Sequence, residues 1–341
     1  MRRLFSLLPV LLVLALAAHG QSLHFSQYYN APALINPANT ALFPEDDIRL
    51  GLNYRTQWSA LPVPYNTFSA FTDMKIGGHK DNETHNNWLG LGLAFFNDKA
   101  GDGNLSLSQV QANVAYHLQL SRKTMVSVGF SGSTVQRSVN YDNLTFDAQW
   151  DGFSFNPQML NGEKVGTLKT SYTTVAAGFN FAVFPNDNLY IKLGGSMANL
   201  NTPTESFYQS KNQVAMRPIG NLDVIIKASP VVIVNPSVYY STQYAATEIV
   251  VGSLLRTVLS NDPEFKTQLI LGLFDRLGDA AIGVAGVQLA DWQLTASYDM
   301  TMSTLAPYNA SYGALEFSLI YQRPYGRNRE GSRKTYSCPI F

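Results

Sequence analysis

The sequence predicts an all-β protein, a transmembrane antiparallel outer-membrane β-barrel of about 14 strands. Three observations predict this fold. Apolar and polar residues alternate along the chain from residue 48 onward. Charged residues make up 14% of the 341 residues, whereas about 25% is usual in soluble domains. Most even-to-odd connections between the predicted strands are short and the longest connection is odd-to-even, as in barrels with turns at one end and loops at the other.

The alternation of side chains is clear in the first predicted strand, where Leu50, Leu52 and Tyr54 alternate with Gly51 and Asn53. A strand places two such sets on opposite faces, whereas a helix would spread them around its surface. Most segments with this pattern reach the about 9–11 residues that a tilted strand needs to cross a bilayer. The fourteen predicted strands are 48–58, 65–76, 87–97, 105–120, 124–137, 171–184, 188–200, 216–228, 231–242, 246–259, 264–275, 279–289, 292–302 and 310–321.

The connections predict the orientation of the barrel. Even-to-odd connections are short and rich in turn-forming residues, which is typical of periplasmic turns. The longest connection, 138–170, joins an odd strand to an even one and is therefore predicted to be external, as is 201–215. The stretch 77–86 is a longer connection on the predicted periplasmic side. A soluble β-sandwich is the alternative fold, but it would not sort its connections in this way.

The N-terminal residues 1–20 have the features of a secretory signal peptide. Arg2 and Arg3 precede an apolar run, 7–18, and small residues lead to a predicted cleavage before Gln21. An anchor helix is the alternative, but the run is shorter than the about 20 residues that a membrane span requires. Export through this signal would bring the barrel to the outer membrane.

The mature chain divides into three predicted parts. Residues 21–47 form an N-terminal periplasmic or plug segment, in which Asn36 and Pro37 are either a structural plug or merely a turn, because proline restricts its neighbours. Residues 48–321 form the transmembrane barrel. Residues 322–341 form a periplasmic basic tail.

Composition and motifs favour neither an enzyme nor a nucleic-acid-binding protein. The 24 basic and 24 acidic residues balance, whereas nucleic-acid binding needs a concentrated basic face. No hydrolase or metalloprotease motif occurs in the sequence, so we expect no catalytic residue, metal or cofactor, and His117 is expected to be a polar residue of the barrel interior. Cys338 is the single cysteine, which excludes an intrachain disulfide.

Aromatic residues define two groups. One group lies at predicted strand ends and predicts an interfacial girdle: Trp58, Tyr65, Trp88, Trp292 and Tyr321. The other lies in the long external connection, which is the preferred contact for a partner, and serves either loop packing or ligand binding such as a sugar-binding platform: Phe146, Trp150, Phe153 and Phe155.

The C-terminal tail is basic and ends on an apolar residue. It is either a solvated end or a docking strip for a periplasmic partner. Its candidate partner-binding residues are Arg323, Arg327, Arg329, Arg333, Lys334 and Phe341.

Several segments together resemble one known family. They are Phe25 to Asn30, Asn36 to Ala38, the first strand from Arg49 to Trp58, the last strand from Leu315 to Tyr321, and the ending Cys338 to Phe341. These residues resemble the PorP/SprF family of type IX secretion system membrane proteins from Bacteroidota. The likeness spans the whole mature chain, and its specific parts are the N-terminal block and the Cys-Pro ending.

The resemblance implies an outer-membrane barrel that supports secretion or surface anchoring of cargo proteins with a C-terminal sorting domain, such as gliding adhesins. It implies partners among the periplasmic components of that system, with a peptidoglycan-binding lipoprotein as one candidate. It implies no catalytic residues. Two other functions stay open at this stage: an outer-membrane transporter of hydrophobic small molecules with an N-terminal plug, and a barrel enzyme.

Overall fold

A computed structural model of the chain describes residues 24–43, 46–59, 64–77, 87–101, 105–140, 144–156, 158–160, 167–207, 212–260 and 267–324. These residues form a closed barrel in which each strand pairs with its neighbours in the sequence and β1 pairs with β14. The prediction of an all-β antiparallel barrel is confirmed, since the barrel has 14 strands. The predicted signal peptide lies outside the described residues.

The strand bounds are close to the predicted ones. The largest shift is the start of β6, which lies four residues before the predicted residue 171. The strands are β1 Ile48–Gln57, β2 Tyr65–Gly77, β3 Trp88–Ala100, β4 Leu105–Ser121, β5 Thr124–Asn140, β6 Thr167–Asn186, β7 Leu189–Ala198, β8 Arg217–Ser229, β9 Val232–Gln243, β10 Ala246–Ser260, β11 Thr267–Arg276, β12 Ala280–Leu289, β13 Trp292–Thr301 and β14 Tyr312–Arg323.

The two faces of the strands separate as the alternation predicts. In β1, Leu52 is 47% exposed on the outer surface, whereas Asn53 and Arg55 are buried in the interior. In β4, His117 and Gln111 face the interior and are buried. An apolar outer face is stable only against lipid, because the exposed apolar surface is far more extensive than a soluble monomer carries.

The two ends of the barrel differ in their connections. One end carries the even-to-odd connections, and β4–β5, β6–β7, β8–β9 and β12–β13 are each joined there by two residues. We call it the turn end. The opposite end, the loop end, carries the longer β5–β6 and β7–β8 connections, but its β9–β10 and β11–β12 connections have two and three residues, so the predicted sorting of connections by length is only partly confirmed. Residues 78–86 and 261–266, which include the long connection expected at the turn end, lie outside the described residues.

The aromatic girdle is partly as predicted. Trp292 and Tyr321 pair across β13 and β14 with ring centroids 4.7 Å apart, and Trp292 is exposed. The assignment of Trp88 to this girdle is wrong, since Trp88 is buried and faces the interior. Both faces of β3 are apolar near this residue, so the alternation alone does not decide which face is inside.

A segment without strands lies inside the barrel. This lumen segment, residues 24–43, contains a 3₁₀ turn at Tyr28–Asn30, a four-residue helix α1 at Pro32–Ile35, and a second 3₁₀ turn at Pro37–Asn39. Most of its residues are buried. A further short helix, α2 at Ala306–Asn309, lies in the β13–β14 connection. Within the described part of the chain, no helix is long and apolar enough to cross a membrane.

Candidate functional site

The lumen segment runs along the barrel from the loop end to the turn end. Ser26 contacts Arg55, which lies two residues before the loop end of β1. Ala41 contacts Trp88, the first residue of β3 at the turn end. The segment therefore occupies the barrel interior over much of its length, and its polar backbone groups must be paired with the barrel wall.

A buried ion cluster holds the lumen segment near the loop end. The carboxylate of Glu316 accepts hydrogen bonds from the backbone N–H groups of Ser26 at 2.8 Å and Gln27 at 3.0 Å. Arg55 lies 3.3 Å from Glu316 and 3.1 Å from Asp299. The Ser26 hydroxyl donates to Asp299 at 2.6 Å. These residues, which we call the loop-end anchor, are almost fully buried, so each charge depends on its partners.

Arg276 adds a second cation to the loop-end anchor. Its guanidinium lies 3.2 Å from Asp299 and 3.3 Å from Glu248, and it donates to the Ser26 hydroxyl at 2.8 Å. Ser26 therefore joins β1, β11, β13 and β14, and Arg276 extends the anchor to Glu248 of β10. Removal of any charged member leaves another buried charge without part of its compensation.

The centre of the lumen segment is held by aromatic stacking. Tyr28 stacks on Tyr239 with ring centroids 5.1 Å apart, and Tyr29 stacks on Phe274 at 5.7 Å. The Tyr28 hydroxyl lies 2.6 Å from Ser237 Oγ. Aromatic pairs contribute about 0.5–1.5 kcal/mol beyond the burial of their area. This cluster therefore fixes the segment against the β9–β11 side of the barrel.

Asn36 and Pro37, the predicted plug residues, lie inside the barrel beside β5 and β6. Asn36 Nδ2 donates to the carbonyl of Phe179 at 2.9 Å, and Asn36 Oδ1 accepts from the Ala38 N–H at 2.9 Å. Gly129 of β5 faces this turn, and a Cβ on Gly129 would lie 2.4 Å from Ala38 N. The close approach of the segment to the wall therefore requires a residue without a side chain at Gly129.

A second anchor holds the segment near the turn end. The Ala41 N–H donates to Asp73 at 2.7 Å, and Arg49 Nε donates to the other oxygen of Asp73 at 2.9 Å. Trp88 Nε1 donates to the Ala41 carbonyl at 2.9 Å. His117 Nε2 lies 2.8 Å from the carbonyl of Thr40 and therefore donates to it, while Nδ1 faces Ser127 at 2.7 Å. These contacts, the turn-end anchor, make His117 a structural partner of the lumen segment.

A cavity of about 510 Å³ lies between the lumen segment and the loop end. Ala33, Leu34, Ile35 and Pro37 of the lumen segment close it on the turn-end side. Its walls come from β4 to β9, and Glu205 and Asn212 of the β7–β8 connection lie over it. We call this cavity the vestibule. A smaller cavity of about 290 Å³ beside it contains His24, Glu248 and Asp279.

The long β5–β6 connection displays three of its four predicted aromatic residues. Trp150 pairs with Phe155 as an isolated bridge, and Phe153 between them is 92% exposed. Phe146 lies half-buried at the base, where its N–H donates to Gln149 Oε1 at 3.0 Å. The aromatic tip, residues 150–155, therefore presents aromatic surface to solvent at the loop end, most of all at Phe153.

Hydrogen bonds to Asp151 fix the shape of the aromatic tip. The carboxylate accepts from the N–H groups of Ser154 at 2.6 Å and Phe153 at 2.7 Å. These N–H donors hold the pKa of Asp151 below its ordinary value. A preordered turn loses less conformational entropy on binding than a flexible loop would.

Of the six candidate residues of the basic tail, the structure describes one, Arg323. Arg323 is the last residue of β14 at the turn end and lies 3.8 Å from Asp291. The strand thus continues two residues beyond the predicted boundary at 321. Arg327, Arg329, Arg333, Lys334 and Phe341 lie outside the described residues.

The anchors contain residues that sequence reasoning did not select as site residues. Arg55, Asp73 and Glu316 occupy interior positions of predicted strands, so their charge on the inner face was the available signal. Several residues behind the family resemblance also meet in the fold, because Ser26 and Gln27 bind Glu316. Among the described residues, no three His, Cys, Asp or Glu side chains are grouped so that they could hold a metal ion.

This architecture defines an outer-membrane β-barrel with an N-terminal segment in its interior. Two solved structures share the fold. The Ralstonia pickettii toluene transporter TbuX is 8% identical, with a TM-score of 0.54 over 87% of this chain and 94% of that chain. The Pseudomonas putida toluene transporter TodX is 10% identical, with a TM-score of 0.53 over 89% of this chain and 95% of that chain. At this identity the likeness shows the fold alone.

The chain belongs to the PorP/SprF family of type IX secretion system membrane proteins, whose family model matches residues 17–321. A search of curated proteins found no match. The resemblance predicted from the N-terminal block and the first and last strands is confirmed. The protein is therefore a membrane barrel of the type IX secretion system.

Proposed function

We propose that the protein supports secretion or surface anchoring of a cargo protein with a C-terminal sorting domain, such as a gliding adhesin. The family match over residues 17–321 carries this proposal. Residues 1–20 would serve as the export signal. The loop end would face the cell exterior, and the turn end would face the periplasm.

The anchored lumen segment supports a scaffold role for the barrel. Both anchors tie the segment to strands on several sides of the interior, through Glu316 at the loop end and Asp73 at the turn end. Releasing the segment would expose buried charges and unpaired N–H groups, which is costly. A barrel with a fixed interior is suited to holding a partner at its surface. This arrangement favours anchoring over the alternative of a hydrophobic-molecule transporter.

The aromatic tip is the preferred contact for the cargo. Exposed aromatic residues on a preordered turn are typical of the anchors that dominate protein interfaces. Phe153 is 92% exposed, and Trp150 and Phe155 flank it. The loop end would then meet the cargo, while the turn end and the basic tail would meet periplasmic components of the system.

Surface retention of the cargo tests this proposal. Phe153→Ser should release cargo from the cell surface into the medium, because it removes the most exposed aromatic side chain of the tip. Tyr308→Ser is the matched control, since Tyr308 is 80% exposed and lies in a different connection at the loop end. If cells with Phe153→Ser retain cargo at wild-type levels, the aromatic tip is not part of the interface with the cargo. Cargo retained by cells lacking the whole protein would overturn the proposed function.

A further inference from the structure

The vestibule is a blind cavity of a size suited to a ligand. Its volume of about 510 Å³ falls within the about 300–1,000 Å³ that is usual for ligand pockets. Residues 33–37 of the lumen segment close it on the turn-end side. Among the described residues the vestibule therefore admits an end or a tight turn of a polypeptide from the loop end, and the lumen segment blocks passage toward the turn end.

The walls of the vestibule carry groups that match a peptide backbone. Amide and hydroxyl side chains project into it from five strands and one connection, and they both donate and accept hydrogen bonds. Apolar side chains of Leu34, Leu107 and Val135 lie among them. The amide and aliphatic hydroxyl side chains include Gln109, Ser133, Thr174, Ser196, Asn212 and Gln243. This mixture suits a peptide with both a polar backbone and apolar side chains.

The charges of the vestibule favour an anionic end. Its charged lining residues are Arg137, Arg217 and Glu205, which sum to two positive charges minus one negative, or plus one. Arg217 is 8% exposed, and its guanidinium is positioned by Ser241 at 2.7 Å and Tyr239 at 2.8 Å. A carboxylate is the peptide group that pairs with arginine most strongly.

Glu205 already forms an ion pair with one of these arginines, Arg137. Arg137 Nε lies 3.0 Å from Glu205 Oε1, yet this nitrogen forms no hydrogen bond among the described residues. The Arg137 side chain is 33% exposed although Nε itself is buried, so an incoming group can reach the rest of this side chain from solvent. An incoming carboxylate with better alignment would displace Glu205 from Arg137.

We propose that the vestibule binds the C-terminal end of a partner polypeptide, with its terminal carboxylate on Arg137 and Arg217. The bound end lies against the floor formed by the lumen segment, and Glu205 competes with it for Arg137. The assignment of this polypeptide to the secreted cargo rests on the proposed function. The recognition of a free C-terminal carboxylate does not.

The test uses the full-length protein purified in detergent and two pools of fluorescent random hexapeptides. One pool ends in a free carboxylate, and the other ends in an amide. Fluorescence anisotropy should give a Kd that is tighter for the carboxylate pool by about tenfold, the effect of one charge-assisted hydrogen bond. Circular dichroism of each variant verifies that the barrel is folded.

Two substitutions should move this Kd in opposite directions. Arg137→Gln should weaken binding of the carboxylate pool, and Glu205→Gln should tighten it, because Glu205 competes for the same arginine. Lys169→Gln is the matched control, since Lys169 is exposed near the loop end and does not line the vestibule. A merely structural role for the ion pair would weaken binding in both variants.

Equal affinity for the two pools, or no saturable binding of either, would overturn the proposal. Parallel effects of Arg137→Gln and Glu205→Gln would also overturn it. The proposed function fails separately, through retention of cargo by cells without the protein. A protein that shows no preference for the carboxylate pool but still retains cargo would contradict the proposed vestibule site. The proposed anchoring function would then still stand.

Discussion

Glu316 on the last strand accepts a hydrogen bond at 2.8 Å from the backbone N–H of Ser26, a residue 290 positions earlier in the chain. The same carboxylate lies 3.3 Å from Arg55 on the first strand. The strand pair that closes the barrel, β1 with β14, is therefore also the pair that holds the beginning of the lumen segment. Closure of the barrel and placement of this segment are coupled through one buried side chain.

Glu316→Ala should free the lumen segment at the loop end. The substitution leaves two N–H groups and part of the Arg55 charge without a partner, and breaking a buried pair costs about 3–5 kcal/mol. Amide hydrogen exchange at Ser26 and Gln27 should accelerate by about 100-fold or more, since each factor of ten corresponds to about 1.4 kcal/mol. Mass spectrometry of peptides that contain residues 24–30 measures this change.

Asp275→Ala is the matched control for this experiment. Asp275 is an exposed carboxylate one residue before the loop end of β11, on the outer face. Exchange at residues 24–30 should be unchanged in this variant. Equal exchange in Glu316→Ala and in the wild type would show that the loop-end anchor does not hold the segment.

Gly129→Ala should destabilise the barrel, because the new Cβ would lie 2.4 Å from Ala38 N and 2.6 Å from Pro37 O. These are backbone atoms of the lumen segment and cannot rotate away. Overpacking of this kind costs about 1–3 kcal/mol. Gly132→Ala, in the same strand, should have little effect, since no atom lies within 4 Å of its Cβ position. The midpoints of thermal unfolding of the two variants measure this difference. Equal midpoints would contradict the close approach at Gly129.

A charge on the lipid-facing side of β13 should impair assembly more than one on the inner face. Leu294 is 52% exposed on the outer surface, whereas its neighbour Gln293 faces the lumen segment at Asn30. Arginine on the lipid face costs about 2–4 kcal/mol at the bilayer midplane and less toward the interface, and Leu294 lies two residues inside the girdle residue Trp292. Leu294→Arg should therefore lower the amount of protein in outer-membrane fractions more than Gln293→Arg does. Equal amounts of the two variants would contradict this assignment of the faces, and a larger loss for Gln293→Arg would invert it.

The strands could be predicted from sequence because their information is local. Leu52 and Asn53 occupy opposite faces through a period of two residues, and any strand of sufficient length shows it. Trp88 could not be placed in the same way, because both faces of β3 are apolar there. The partner of Trp88 is the Ala41 carbonyl of the lumen segment, which no local pattern specifies.

The site residues were harder to predict because their contacts are distant in sequence. The inner-face position of Glu316 follows from the alternation, but its pairing with Ser26 depends on the path of the lumen segment through the closed barrel. The interior position of His117 was expected, whereas its contact with Thr40 was not. In each case the sequence predicts which face a side chain occupies, and only the three-dimensional fold supplies its partner.

The charge of the C-terminal tail predicts binding to a periplasmic partner. Residues 322–341 contain five basic residues and one acidic residue, which gives a net charge of plus four. β14 ends at Arg323 on the turn end of the barrel, where periplasmic machinery would lie. An acidic partner surface would gain electrostatic steering and charge-assisted hydrogen bonds from these residues. Isolated surface charges contribute little on their own, so a role in docking requires several of them to act together.

Deletion of residues 325–341 leaves all of β14 in place and is expected to preserve a folded barrel in the outer membrane. Co-purification with a periplasmic type IX component should fall, because the deletion removes four of the five basic residues: Arg327, Arg329, Arg333 and Lys334. Co-purification of the full-length protein should also decrease as salt concentration rises, since exposed charge pairs are screened. The control replaces these four residues with glutamine while retaining the apolar end at Phe341. A truncated barrel that retains all its partners at wild-type levels would show that the tail is not a docking strip.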